Sequence, residues 1–160
     1  MINARSETIR EKPSFRSAFA RRRCLIPVDG FYEWRAVAGS KIKQPVYIKR
    51  ADGAVTAFAG IYEDYESKET LEDRMVRTCA IITTAANATV APVHDRMPAI
   101  LTPEDFDEWL DPTNSDLDDL QSLLVPAPDD YLSYYAVSTE VNKPSSNGPE
   151  LLDPIDAPTV

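Results

Sequence analysis

The stretch CLIPVDGFYEWR, residues 24–35, contains two short runs of β-branched, aliphatic and aromatic residues on either side of Asp29 and Gly30. Residues of these types favour extended backbone, while Asp, Gly and Pro commonly mark strand ends. The stretch therefore predicts two consecutive strands, CLIPV and GFYEWR. Four further runs of the same character predict strands at 45–50, 55–63, 77–85 and 134–139.

Helical patterns are fewer and do not alternate with the strands. Thr102, followed by a proline and two acids, is typical of a helix N-cap and predicts a helix through FDEWL. Ser115 is predicted to cap a second helix, DLDDLQSLL, whose leucines lie on one face. A short helix is predicted near residues 14–22. Because βαβ alternation is missing, the pattern favours an antiparallel α+β fold.

Two connections have distinctive turn chemistry. Asp52-Gly53, between the runs 45–50 and 55–63, predicts a hairpin with a primed turn. The segment ITTAAN, residues 82–87, places hydroxyl and amide groups at a strand end, where they could bind a ligand, but we interpret Asn87 as a cap. The basic cluster ARRRC, residues 20–24, is weak evidence for anion binding because helix C-termini attract cations.

Length and composition fit one domain with a substantial core, since the chain has 160 residues and is 43% hydrophobic. No apolar run approaches the about 18 residues that a membrane helix needs, so we expect a cytoplasmic protein. Cys24 and Cys79 lie in apolar stretches, which predicts two buried, reduced thiols. With one histidine and two cysteines, we expect neither a metal nor a cofactor.

The net charge of −9 hides a strong asymmetry along the chain. Residues 1–50 carry twelve Lys/Arg and four Asp/Glu, whereas residues 51–160 carry five and twenty-two. Between residues 97 and 142 there is no Lys or Arg. One interpretation is a basic surface opposite an acidic one. The alternative is an acid-rich proteome adapted to high salt, and charge alone does not decide between them.

Glu33 is the first candidate for chemistry. Strand alternation places Phe31 and Glu33 on one face and Tyr32 and Trp34 on the other. A carboxylate beside aromatic walls is partly desolvated, which raises its pKa and suits acid/base work. The alternative is that Glu33 simply faces water across a half-buried strand.

His94 is the second candidate, because it lies on a proline-bounded loop and histidine suits proton transfer near neutral pH. The alternative is a loop histidine that is hydrogen-bonded to a carbonyl. Arg96, two residues further on, could hold a phosphate or form an ordinary surface ion pair.

Four segments, in this order and spacing, resemble the SOS-response-associated peptidase (SRAP) family, whose members shield abasic sites in single-stranded DNA. They are NARSET at 3–8, RRCLIPVDGFYEW at 22–34, ITTAAN at 82–87 and VHDRMPAIL at 93–101. The closing VSTEVNKPSSNGPELLDPI, residues 137–155, is also similar to the family's end. The resemblance implies a single domain over 1–160 with a mainly antiparallel sheet or partly open barrel, a few flanking helices and an extended tail at 143–160.

The resemblance also implies an unusual chemistry. Family members remove their initiator methionine by autoproteolysis, which exposes an N-terminal cysteine. Its amine and thiol condense with the ring-opened aldehyde of an abasic site to give a thiazolidine cross-link. By the same resemblance, Asn3 holds the cysteine terminus or the sugar, Glu33 shuttles protons, and His94 is a second acid/base and polar anchor.

The implied partner is single-stranded DNA with abasic sites, and the implied location is on the nucleoid when the protein is bound. Arg5 and Arg96 would meet phosphates that flank the lesion. Trp34 and Met97 would support the bases or the wall of the site, and Thr83 would hydrogen-bond the DNA backbone. No membrane, metal or cofactor is implied, and the oligomeric state stays open.

The chain departs from the family at its start. Only Met1 and Ile2 precede the NARSET motif, there is no Met-Cys start, and neither Cys24 nor Cys79 occupies that place. We therefore expect a truncated form that lacks its N-terminal segment, does not cross-link, and is less stable or self-associates. The alternative function is a non-catalytic module that binds single-stranded DNA. A cysteine-peptidase-like hydrolase ranks last, because both thiols are expected to be buried.

Overall fold

The computed structural model describes residues 1–67 and 74–156. The chain folds into two compact units. The first contains Met1–Pro27, Ala57–Ala85 and Pro98–Pro126, and the second contains Val28–Thr56, Ala86–Met97 and Ala127–Val160. The end of the expected tail, residues 157–160 with Pro158, lies outside the described residues.

The larger sheet belongs mainly to the first unit. Its path runs β1 (Asn3–Arg5), β6 (Arg74–Ala85), β5 (Thr56–Ser67) and β2 (Arg23–Val28). β1 pairs with β6 in parallel, whereas β5 and β6 form a long antiparallel pair. β8 (Ile100–Leu101) pairs with β5, and β7 (Arg96–Pro98) precedes it along the chain.

The core of the first unit lies between one face of this sheet and three short helices. The helices are α1 (Arg16–Arg21), α2 (Phe106–Leu110) and α3 (Leu117–Ser122). Their apolar faces pack with alternate residues of the strands, and each fully buried large side chain contributes about 1.5–3 kcal/mol. The largest buried side chains of this core are Phe19, Ile82, Leu101, Trp109 and Leu120.

Arg23 explains most of the basic cluster at residues 20–24. Its buried guanidinium donates to the carbonyls of Phe19 (3.0 Å), Ala20 (2.8 Å) and Trp109 (2.7 Å), and also to that of Asp111. These bonds satisfy carbonyls at the C-terminal ends of α1 and α2. Burial lowers the pKa of Arg23, and this is opposed by the negative charge of Asp111. Arg23 is therefore structural rather than a free anion-binding group.

The helix caps agree with the sequence at one helix and differ at another. The Thr102 backbone N–H (3.0 Å) and hydroxyl (2.8 Å) donate to the Asp105 carboxylate, and a 3₁₀ turn, Pro103–Asp105, leads into α2 as predicted. The predicted Ser115 cap of α3 is wrong by one residue. Asp116 is the cap, because its carboxylate accepts from the backbone N–H groups of residues 118 and 119, both at 3.1 Å.

The smaller sheet belongs to the second unit and has three antiparallel strands. β4 (Gln44–Arg50) lies between β3 (Phe31–Arg35) and β9 (Leu132–Ala136). The predicted strand 134–139 stops at Ala136. Beyond it, Val137 forms an isolated bridge with Pro154, and the Ser138 hydroxyl caps a 3₁₀ turn, Thr139–Asn142.

The predicted hairpin at Asp52-Gly53 is wrong. The runs on its two sides, β4 and β5, lie in different sheets and do not pair. Gly53 does adopt a left-handed φ of +76° and donates to the Arg50 carbonyl at 3.0 Å. Every left-handed residue in the described part of the chain is a glycine, so Asp52 lacks the geometry of a type I′ turn.

The fold is α+β, with two mostly antiparallel sheets and a few short helices, which confirms the predicted class. Within the described residues neither sheet closes into a barrel. Part of the segment expected to be an extended tail, Pro149–Leu152, forms a 3₁₀ turn. Among residues 1–67 and 74–156, no helix is long and apolar enough to span a bilayer.

Candidate functional site

In the first unit, Asn3, Arg5 and Thr83 lie on one face of the sheet. β1 and β6 are in parallel register, with Asn3 beside Ile81 and Arg5 beside Thr83. The intervening Ala4 is buried (1% exposed), so its neighbours project from the opposite face, where both are exposed. The Thr83 hydroxyl donates to the Ala4 carbonyl at 3.4 Å. The structure thus brings these three predicted site residues together.

Cys79 lies on the same face of β6, because it is two and four residues before Ile81 and Thr83. Its side chain is exposed and Cys24 is half-buried, and both thiols are free. The prediction of two buried thiols is therefore wrong for Cys79. β6 has a polar open face here, and strand alternation against the buried Ala80 and Ile82 is the sequence signal that could have shown it.

Glu33 lies on β3 in the second unit and is half-buried. Its direct neighbour on β4 is Val46, which is 1% exposed, and the neighbour of Phe31 is Ile48, which is fully buried. Directly opposed residues of an antiparallel pair share a face. Glu33 therefore projects from the face of the sheet that carries buried aliphatic side chains.

Trp34 projects from the opposite face of β3. Its indole N–H donates to the Asn142 side-chain oxygen at 2.7 Å. On this face Tyr32 donates to the Leu151 carbonyl (3.4 Å) and Tyr135 donates to the Leu152 carbonyl (2.8 Å). The C-terminal segment therefore packs on the tryptophan face, and the structure does not bring Trp34 and Glu33 onto one surface.

Gly30, immediately before β3, is required by a close approach. A Cβ placed on it would lie 2.5 Å from the Ile48 carbonyl and 2.5 Å from the Tyr47 ring. Tyr47 is also the middle member of a cross-strand row, Tyr32–Tyr47–Tyr135. Burial, together with the negative charge of Asp29, raises the pKa of Tyr47. The glycine of the GFYEW motif thus lets the chain enter β3 against a packed aromatic side chain.

His94 and Arg96 lie in a tight turn at the start of β7. The His94 Nδ1 lies 3.0 Å from the Arg96 backbone N, whose N–H it can accept, and 3.3 Å from the Arg96 carbonyl; the shorter contact favours the neutral tautomer with its proton on Nε2. The side chain of His94 is 41% exposed. When protonated, Nδ1 can pair with the Asp95 carboxylate at 3.2 Å. The turn therefore presents an oriented N–H donor that can also exchange a proton.

Met97 is buried, with 1% of its surface exposed. Its sulfur accepts the Asn87 backbone N–H at 3.4 Å, and the Asn87 amide donates to the Ala127 carbonyl at 3.0 Å. The Asn87 side-chain oxygen also accepts the Val90 N–H at 3.0 Å, so Asn87 caps a turn and not the helix that was predicted there. Burial limits Met97 to supporting the turn that carries His94.

Comparison with known proteins identifies the family. Residues 1–144 match the profile of the family described as SOS response associated peptidase (SRAP). The chain belongs to the SRAP family. This SRAP chain is 49% identical over 153 residues to "Abasic site processing protein YoqW" of Bacillus subtilis (strain 168), with 96% of this chain and 66% of that protein covered.

More distant relatives agree. "Abasic site processing protein HMCES" of Pongo abelii is 31% identical over 180 residues, which cover 96% of this chain and 50% of that protein. A crystal structure of a protein from Bacteroides thetaiotaomicron superimposes with a TM-score of 0.85 at 36% identity, covering 96% of this chain and 65% of that one. This SRAP chain thus spans two thirds or less of the length of these relatives.

No group of three or more histidine, cysteine, aspartate or glutamate side chains could hold a metal ion in the described part of this SRAP chain. The candidate site side chains of this SRAP chain are an amide, a hydroxyl, a carboxyl group, an imidazole and two guanidinium groups. They lie in two sets, with Asn3, Arg5 and Thr83 in the first unit and Glu33, His94 and Arg96 in the second.

Proposed function

We propose that this SRAP chain binds single-stranded DNA inside the cell, on the nucleoid, and processes abasic sites. The observation that carries the proposal is its 49% identity, over 96% of the chain, to a protein named as an abasic site processing protein. The open face with Asn3, Arg5 and Thr83 supports it, because phosphates and sugar hydroxyls are recognised by such guanidinium, amide and hydroxyl groups. Arg5 and Arg96 are the proposed phosphate contacts.

The proposed chemistry is condensation at the aldehyde of a ring-opened abasic site. By the family resemblance, the amine of an N-terminal cysteine adds to the aldehyde carbon, and the resulting carbinolamine loses water to give an imine. One group must protonate the departing oxygen, and another must accept the proton from nitrogen. Glu33, half-buried beside aliphatic side chains, and His94, with its Nε2 directed outward by the Nδ1 bond, are the proposed pair. Asn3 is proposed to hold the sugar by its amide.

For the polypeptide of residues 1–160 we propose recognition without a thiazolidine. That five-membered ring needs an amine and a thiol on adjacent carbons, which only an N-terminal cysteine provides. Here Ile2 follows Met1, and the two thiols lie within β2 and β6. The alternative function is a non-catalytic module that binds single-stranded DNA.

The test compares binding to two fluorescein-labelled single strands, one of which contains a single abasic site. We expect tighter binding of the abasic strand by anisotropy and no adduct that survives denaturing electrophoresis. Asn3→Ala should reduce the preference for the abasic strand about tenfold, since a hydrogen bond to a charged or strongly polar group contributes about 1.5–3 kcal/mol. Asn147→Ala, which truncates an exposed asparagine outside both sets, is the matched control.

Three outcomes decide the proposal. Equal affinity for the two strands would show that the chain does not recognise the abasic site. A denaturation-resistant adduct would overturn the non-covalent assignment, and its loss in Cys79→Ser would place the new bond on the exposed thiol. A preference that Asn3→Ala and Asn147→Ala reduce equally would exclude Asn3 from the site.

A further inference from the structure

The β3–β4 connection lies within a basic segment of an acidic chain. From Trp34 to Ala51 there are five Lys/Arg and no Asp/Glu, in a protein of net charge −9. β3 ends at Arg35 and β4 begins at Gln44, and these two residues are in register across the base of the connection. The connection is therefore an eight-residue loop, residues 36–43, that is closed by a strand pair.

Four of the five cations of this segment divide into two groups. Lys49 and Arg50 are engaged within the second unit. The Lys49 ammonium lies 5.9 Å from the Tyr135 ring centre, while Arg50 pairs with Asp52 at 2.9 Å and lies 5.1 Å from the Tyr131 ring centre. By contrast, Lys41 and Lys43 are exposed, and neither forms an ion pair with any residue in the described ranges. The loop thus presents two cations without protein counter-charges there.

Arg35 adds a positive charge on the strand that carries Glu33, the candidate acid/base residue. It is two residues after Glu33 on β3, so the two side chains leave the same face of the sheet. The Arg35 Nε is buried and has no hydrogen-bond partner among the described residues. A buried N–H without an acceptor is costly, and a ligand oxygen would relieve that cost.

A left-handed glycine and several hydrogen bonds within the loop define its conformation. Gly39 takes a left-handed φ of +73°, and the Ser40 N–H donates to the Val37 carbonyl at 3.1 Å. The Ser40 hydroxyl bonds both the N–H and the carbonyl of Ile42, each at 3.0 Å. These bonds hold Ile42, which is 68% exposed, between the two lysines. An apolar side chain flanked by cations matches a nucleic-acid strand, whose base faces pack against apolar groups and whose backbone is anionic.

We propose that the β3–β4 loop binds the phosphate backbone of single-stranded DNA through Lys41 and Lys43, and that Arg35 binds a phosphate nearer to Glu33. The inference rests on the proposed function and deepens it, because it assigns the path of the strand on one side of Glu33. Nucleic acid is favoured over an acidic protein segment because the loop combines spaced cations with an exposed apolar side chain.

The experiment measures binding of an undamaged, fluorescein-labelled oligothymidylate as the salt concentration is raised. Each phosphate contact that is lost makes the negative slope of log K against log salt shallower by about 0.7 for single strands. K41Q/K43Q should therefore make the slope shallower by about 1.4, and Arg35→Gln by about 0.7. K12Q/R16Q removes the same charge from exposed positions in the first unit and should leave the slope unchanged.

The result distinguishes failure of this inference from failure of the proposed function on which it rests. If the unchanged chain binds and K41Q/K43Q keeps its slope, or loses no more than K12Q/R16Q, the loop assignment is wrong and the proposed function stands. Failure of the unchanged chain to bind the strand at low salt would overturn both. A circular dichroism melt of Arg35→Gln identifies unfolding, and the two loop lysines, being exposed, provide the decisive variant.

Discussion

At the scale of single residues, the two cysteines have the same side chain but different surroundings and therefore different exposure. Cys79 is exposed on an open strand face, whereas Cys24 is half-buried. Burial, together with the nearby Cys79, raises the pKa of Cys24, and the Arg77 charge only partly opposes this. The thiolate is the species that reacts with alkylating agents, so both access and pKa favour Cys79.

We expect iodoacetamide near pH 8 to alkylate Cys79 several-fold faster than Cys24, since the half-burial of Cys24 limits access to its sulfur and its raised pKa lowers its thiolate fraction. A time course analysed by peptide mass spectrometry measures the two rates in one sample. In concentrated urea the rates should become similar, which controls for sequence effects. Faster modification of Cys24 in the folded chain would contradict the exposure assigned to the two strands.

Residue roles that depend on local periodicity could be read from the sequence, whereas those that depend on distant partners could not. Alternation along GFYEW placed Glu33 and Trp34 on opposite faces, as the structure has them. The partner of Trp34, Asn142, lies 108 residues away, and no local pattern predicts it. The same holds for Arg23, because its acceptors Trp109 and Asp111 lie 86 and 88 residues away in the sequence.

At the scale of elements, the α3 cap offers a matched pair of neighbouring positions. The Asp116 carboxylate accepts two backbone N–H groups, while Ser115 is exposed and precedes the cap. Asp116→Ala should lower the free energy of unfolding by about 1 kcal/mol, the usual cost of a lost N-cap. Ser115→Ala should stay within about 0.5 kcal/mol of the parent. Urea titrations at pH 7 provide both values, and a larger loss in Ser115→Ala would move the cap back to the residue that the sequence favours.

Elements were predictable where the signal is local, but their pairing was not. The strand runs and the capped helices follow from residue types over five to ten positions. β4 pairs with β9 although more than eighty residues separate them, and β5 joins another sheet despite the Asp-Gly turn between β4 and β5. Turn chemistry reports that the chain reverses, whereas burial of each strand's apolar face determines which sheet it joins.

At the scale of the whole molecule, charge distribution links stability to the proposed function. The chain carries −9 overall, yet its basic residues are concentrated in the first fifty positions. This asymmetry, which the sequence alone could not assign, has two structural explanations. Some cations, such as Arg23, are fixed on carbonyls, and others, such as Lys41 and Lys43, face solvent where a polyanion can reach them.

Acid should destabilise the protein only below the pH range in which carboxyl groups ordinarily titrate. Arg77 lowers the pKa of Asp64 by hydrogen bonding, and the Thr113 hydroxyl and N–H lower the pKa of Asp111. A hydrogen bond from its own backbone N–H lowers the pKa of Glu104. Because these folded-state values are depressed, their stabilisation is fully present above the unfolded values of about 4 and is lost as pH falls through the folded values.

We therefore expect the urea midpoint to hold or rise slightly from pH 7 to about 5, as repulsion among the acidic groups weakens, and to fall below about pH 4. Asp111→Asn removes a carboxylate that accepts from the Thr113 N–H at 2.8 Å and hydroxyl at 2.6 Å. It should be less stable than the parent at pH 7, and the difference should shrink towards pH 3 because the parent then also loses the charge. Asp130→Asn, which removes an exposed carboxylate of the same charge, should show no such convergence. Parallel pH dependences for the two variants would mean that net charge, rather than the Thr113 bonds, sets the acid limit of this fold.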